Sequence, residues 1–168
     1  HYLDAESEAA SVADSIVAAH RVMADEGVPL SPGVFLAGYS LGGHAILAAQ
    51  RRMEAAPLPG LPVVATGAMS GPYVLSVTFA DGLVAQLFPS LGDDVLRAAA
   101  SPARLLLADR LALALDRFVG IDAIRDALDH ESVIGWRPVA PLMLCAGARD
   151  PVVPYANTTA AAADFRAR

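Results

Sequence analysis

A chain of 168 residues has the size of one domain and is long enough to bury a core of its own. Hydrophobic residues make up 55% of it, charged residues 18%, and the mean hydropathy is +0.45, but no apolar run reaches the roughly 18 residues of a membrane-spanning helix, so stable membrane insertion is not expected. A net charge of −6 with no basic stripe argues against a nucleic-acid partner, and the single cysteine, Cys145, rules out an internal disulfide and a cysteine metal cluster.

The first predicted element is an alanine-rich helix from Ala5 to Glu26, with Val12, Ile16, Val17, Val22 and Met23 forming its buried face and Gly27 and Pro29 stopping it. A turn at Ser31-Pro32-Gly33 leads into Val34-Phe35-Leu36-Ala37, which has the composition of an inner strand. Gly38-Tyr39-Ser40-Leu41-Gly42-Gly43 follows, then a second helix from about Gly43 to Ala56. Pro57 to Pro62 is a loop, and Val63-Val64-Ala65-Thr66 is another buried strand. Helix, strand, helix, strand in this order predicts a parallel sheet with right-handed crossovers.

Between Gly71 and Trp136 no strand is expected. Ser101 caps and Pro102 opens a helix through Leu105-Leu106-Leu107, Leu111, Leu113, Leu115 and Phe118 to Gly120, and a shorter helix runs from Ile121 to about Asp129. Asp93-Asp94 reads as a solvated helix start. Pro141 to Ala146 restores a strand, Gly147-Ala148-Arg149-Asp150-Pro151 turns, and a last helix runs from about Asn157 to the end. The expected division is a core of residues 1–75 and 136–168, with a helical insertion or lid at 76–135.

The chemistry centres on Gly38-Tyr39-Ser40-Leu41-Gly42, a G-x-S-x-G sequence with an apolar strand before it and a helix after it. A serine hydroxyl is a poor nucleophile unless it is held exposed beside a base, and a sharp strand-to-helix turn lifts it above the sheet. Gly38 and Gly42 are expected to be glycine because side chains there would collide with neighbouring elements. The N–H of Leu41, at the start of the helix, is placed to donate to an oxyanion. Asp150, just beyond a late strand, is the candidate acid that would orient a histidine. The four histidines, His1, His20, His44 and His130, all precede it. His44 lies one turn into the nucleophile helix and is expected to point away from the hydroxyl. No group of residues has metal-ligand spacing, and no cofactor is implied.

Leu36 to Ala45, Ser70-Gly71-Pro72-Tyr73, Trp136-Arg137-Pro138 and Gly147 to Thr158 together resemble the secretory-lipase and prolyl-oligopeptidase-like branches of the α/β-hydrolase superfamily. The resemblance implies an α/β fold with a parallel sheet flanked by helices, a helical lid, Ser40 as nucleophile and Asp150 as acid. It further implies a catalytic histidine beyond Arg168 and a second oxyanion donor before His1, so the chain reads as a fragment lacking both ends of the sheet. The expected activity is hydrolysis of small-molecule or lipid-like carboxylic esters, with secretion or a periplasmic location suggested by the resemblance alone. A peptidase or amidase, an acyltransferase, and a non-catalytic binding protein on the same fold are the alternatives.

Overall fold

In a computed structural model, which describes residues 3–78 and 121–168, the chain begins at a capped helix. Asp4 is extended and accepts the Ser7 N–H at 2.9 Å, which starts α1 (Ala5–Asp25). The buried stripe of α1 differs from the expected one. Ala5, Ala9 and Ala13 carry it at four-residue spacing, Val12 and Ile16 are only partly buried, and Val22 and Met23 are exposed. Small side chains let α1 lie close against the helix it packs on, and its last turns run out past that contact.

Val34–Tyr39 forms β1 and Leu41–Ala55 forms α2, so the strand runs to the residue before Ser40 and the helix starts at the residue after it. Val63–Met69 is β2, Ile121–Glu131 is α3, Leu142–Cys145 is β3 and Tyr155–Ala167 is α4. The strands are all parallel and lie in the order β1-β2-β3. The leucine-rich helix expected up to Gly120, and Asp93-Asp94, fall outside the described residues. Among the described residues, no helix is long and apolar enough to cross a membrane.

One face of this sheet is covered. Leu36 and Ala68 pack with Ile46, Leu47 and Ala49 of α2, and the same core takes in Tyr73, Val74, Val133 and Ala161. The other face carries Phe35, Tyr39 and Met143, which are 76%, 67% and 61% exposed. Alternation along a strand explains the division: Phe35, Ala37 and Tyr39 share one side, in register with Ala65, Gly67 and Met69. β1 is therefore half-exposed at a sheet edge among the described residues, not a strand buried on both faces as its composition suggested.

Polar side chains fix the connections. Both carboxylate oxygens of Glu54, on α2, accept from the run-in to β3, taking the Val139 and Ala140 N–H groups at 2.9 Å each. Asn157, fully buried on α4, accepts from the Tyr73 N–H at 2.8 Å and donates to the Val74 carbonyl at 2.7 Å and to the Thr78 hydroxyl. Ser132 and Val133 hold the same segment, through Leu75 N–H to Ser132 Oγ and Val133 N–H to Tyr73 O, each 2.9 Å. The chain on the two sides of residues 79–120 is thus joined side by side.

Candidate active site

Parallel strands with helical crossovers bring their C-terminal ends to one edge of the sheet, and each strand here ends in a residue of interest: Ser40 after β1, Ser70 after β2, Asp150 five residues after β3. All three line one open cleft of about 530 Å3, with Tyr39, Gly147, Arg149, Pro151, Val152 and Val153.

Ser40 takes φ 55° and ψ −125°, a conformation L residues rarely adopt. It occupies the N-cap position of α2, where serine ordinarily turns its hydroxyl back onto the helix, yet it makes no capping hydrogen bond. The inverted backbone swings its side chain outward instead. Its own N–H is anchored to Met69 O at 2.9 Å, and its carbonyl accepts from Gly43 N–H at 2.8 Å, the first internal bond of the helix. Leu41 precedes that first donor, so its N–H has no carbonyl of the helix behind it.

The glycines divide differently from the expectation. A Cβ on Gly38 would sit 2.2 Å from the Gly42 carbonyl oxygen, so strand and helix meet there too closely for any side chain. A Cβ on Gly42 would meet nothing within 4 Å among the described residues, which corrects the expected collision. The second tight place in the elbow is Gly43, where a Cβ would lie 3.2 Å from both Gly71 Cα and Met69 O. The helix also begins two residues earlier than expected, at Leu41.

Asp150 is half-buried in a turn closed by its own N–H to Gly147 O at 3.2 Å. Its Oδ1 accepts from Val152 N–H at 2.9 Å and Val153 N–H at 3.0 Å. These two backbone bonds hold the carboxyl below the usual carboxylate range against a smaller opposing effect of burial. Such a group stays ionised at neutral pH, as a partner for an imidazolium must.

Ser70 is the residue that the sequence reading passed over. It is buried, at 8% exposure, takes φ 46°, and its N–H is held by Cys145 O at 2.7 Å. Like Ser40, it directly follows an apolar strand.

The histidines lie elsewhere. His44 is fully buried and points away from the cleft, with Nδ1 2.7 Å from Glu8 Oε2 and Nε2 2.9 Å from the Glu131 carbonyl. His20 is half-buried on α1, His130 is exposed on α3, and His1 is outside the described residues. None of the residues lining the cleft is a histidine.

A sheet whose order is β1-β2-β3, a strained serine between strand and helix and an acid after a later strand define a partial α/β-hydrolase fold. Among solved structures the chain is related to esterases of that fold. It is similar to the rice cell wall degrading esterase LipA from Xanthomonas oryzae, with a TM-score of 0.76 and 26% identity over 99% of this chain and 56% of that one. A G231F mutant of the same esterase gives a TM-score of 0.77, also at 26% identity and with the same coverage of each chain. A protein from Legionella pneumophila assigned as a hydrolase gives 0.70 at 26% identity, over 99% of this chain and 55% of that one. The chain thus spans little more than half the length of the structures it matches. No protein-family model and no curated protein sequence matches it.

Proposed function

We propose that this chain is the nucleophile-bearing part of a serine hydrolase that cleaves small-molecule or lipid-like carboxylic esters. The observation that carries the reading is the uncapped, positive-φ Ser40 opening onto the same cleft as Asp150. Ser40 Oγ attacks the ester carbonyl and its proton passes to a histidine base, while the Leu41 N–H donates to the oxyanion. The alcohol leaves with that proton, and water then releases the acid from the acyl-enzyme by the same route. Asp150 orients the base and balances its charge. The base is proposed to come from outside residues 1–168, since His20, His44 and His130 are all away from the cleft. Similarity to an esterase of about twice the covered length supports this reading.

Tyr39 and Val152, both largely exposed in the cleft, favour an acyl or aryl group over a charged one. The joined flanks of residues 79–120 suit an insertion that leaves and returns at one place, and an apolar roof over the cleft is its proposed role. The test is turnover of short p-nitrophenyl esters by the full-length polypeptide, with fluorophosphonate labelling of Ser40. Ser40→Ala should abolish both; turnover and labelling undiminished in that variant would sink the proposal.

A further inference from the structure

His44 is fully buried on the helix that follows Ser40, one turn beyond it, and the proposed chemistry leaves it without a task. We infer that His44 is a buried imidazolium whose two ring N–H groups clasp the nucleophile helix to α1 and to the end of α3, and that the clasp loosens when the ring loses a proton. The inference goes beyond the serine-hydrolase reading and does not depend on it.

The geometry around the ring carries it. Nδ1 lies 2.7 Å from Glu8 Oε2 on α1, and Nε2 lies 2.9 Å from the carbonyl of Glu131, the last residue of α3. A carbonyl oxygen only accepts, so Nε2 carries a proton. Glu8 stands in the first turn of α1, where the helix favours negative charge, and its Oε1 accepts from Leu3 N–H at 2.9 Å. An ionised carboxylate also only accepts, so both ring nitrogens donate, which is possible only for the cationic ring. His44 is fully buried and the Glu8 side chain is 11% exposed, so the two charges enter the core as a neutral pair. The Glu131 carboxylate accepts in turn from Ala5 N–H at 2.8 Å, which closes a ring of bonds through α1, α2 and α3. Of the other charged groups on these helices, Arg51 is turned to the Ser132 carbonyl at 3.3 Å, Arg52 to Glu6, and His130 is exposed. On the sheet side Tyr73 stays neutral, its phenol pushed up to about 12 by burial. Loss of one proton leaves Glu8 or the Glu131 carbonyl facing a ring lone pair, so the clasp opens as pH rises.

The experiment is nitrogen NMR of the histidine rings in the full-length protein, with hydrogen exchange read at Ala5 and Val133. Those two N–H groups are held by the Glu131 carboxylate and by Tyr73 O. At neutral pH both ring nitrogens of His44 should be protonated. Raising the pH should lower protection at Ala5 and Val133 by roughly tenfold to a hundredfold in step with loss of the His44 proton, with the strands unchanged. While both protons remain, protection should hold. Glu8→Gln isolates the charge: its amide donates to Nδ1 of a neutral ring and its oxygen still takes the Leu3 N–H, so every bond is kept without the extra proton. In that variant His44 should be singly protonated and protection should not vary with pH. A singly protonated His44 in the wild type at neutral pH overturns the inference. So does protection indifferent to loss of the proton, or a Glu8→Gln variant as pH-sensitive as the wild type. If Glu8→Gln does not fold, the wild-type measurements decide alone. No readout here involves turnover, so an active Ser40→Ala variant would end the serine-hydrolase reading and leave the clasp standing.

Discussion

Alanine placed in turn at positions 38, 42 and 43 separates the glycines that the elbow requires from the one that it does not. At Gly38 the added carbon lies 2.2 Å from the Gly42 oxygen and 2.4 Å from its carbonyl carbon. Both are backbone atoms at the start of α2, so relief means parting strand from helix. A loss of roughly 3–5 kcal/mol is expected, at the upper end of what overpacking costs. At Gly43 the contacts are 3.2 Å to Gly71 Cα and Met69 O, again backbone. Overpacking there costs about 1–3 kcal/mol and alanine returns about 1 kcal/mol of helix propensity, leaving a net loss of roughly 0–2 kcal/mol. At Gly42 the space is open among the described residues, so Ala should be neutral or stabilising by up to about 1 kcal/mol. Urea unfolding followed by fluorescence of the one tryptophan, Trp136, reads all three. A Gly42→Ala variant as damaged as Gly38→Ala would refute the steric account, and so would a Gly38→Ala variant as stable as the parent.

Two further expectations concern buried polar groups. Burial pushes the Tyr73 phenol up to about 12, the nearby Gly71 backbone opposing only part of that. With an ordinary value of 10.0, its contribution is complete below pH 10 and is lost as pH rises toward 12. At about 1.4 kcal/mol per unit this amounts to roughly 2–3 kcal/mol. Among the described residues the Tyr73 hydroxyl also meets no partner at hydrogen-bonding geometry, so Tyr73→Phe should hold or gain stability at pH 8 and flatten the decline between pH 10 and 11 in urea titrations. Asn157→Ala strips partners from Tyr73 N–H, Val74 N–H and Val74 O at once. It should cost about 2–4 kcal/mol and, in hydrogen exchange, deprotect residues 73–78 more than the sheet; uniform deprotection would argue against a local tether.

Periodicity and breakers were enough to place the elements of the core, because the strands are apolar runs bounded by Gly and Pro and the helices are long. Sidedness was less legible. α1 was read from its valines, but alanines at positions 5, 9 and 13 make its contact, since a close helix–helix approach selects for small residues that hydropathy ranks low. β1 looked buried on both faces because its composition does not say which neighbours are present. Ser40 and Asp150 were found through local sequence, and the cleft they share is a long-range product of strand order. Ser70 was missed because nothing in a Ser-Gly-Pro turn reveals that it lines one cleft with an acid 80 positions further on.

The two serines also explain how the site can hold its strain. Each left-handed residue follows directly on a strand, and each extends the parallel ladder by one bond: Ser40 N–H to Met69 O at 2.9 Å, Ser70 N–H to Cys145 O at 2.7 Å. The unfavourable φ is therefore imposed by the sheet and not left to a loop. A conformation costing about 1–3 kcal/mol can be fixed only where neighbouring hydrogen bonds over-determine it. The order β1-β2-β3 then brings Ser40, Ser70 and Asp150 to one edge, so the same ladder that stabilises the fold sets the spacing of Ser40 and Asp150, the side chains proposed to react.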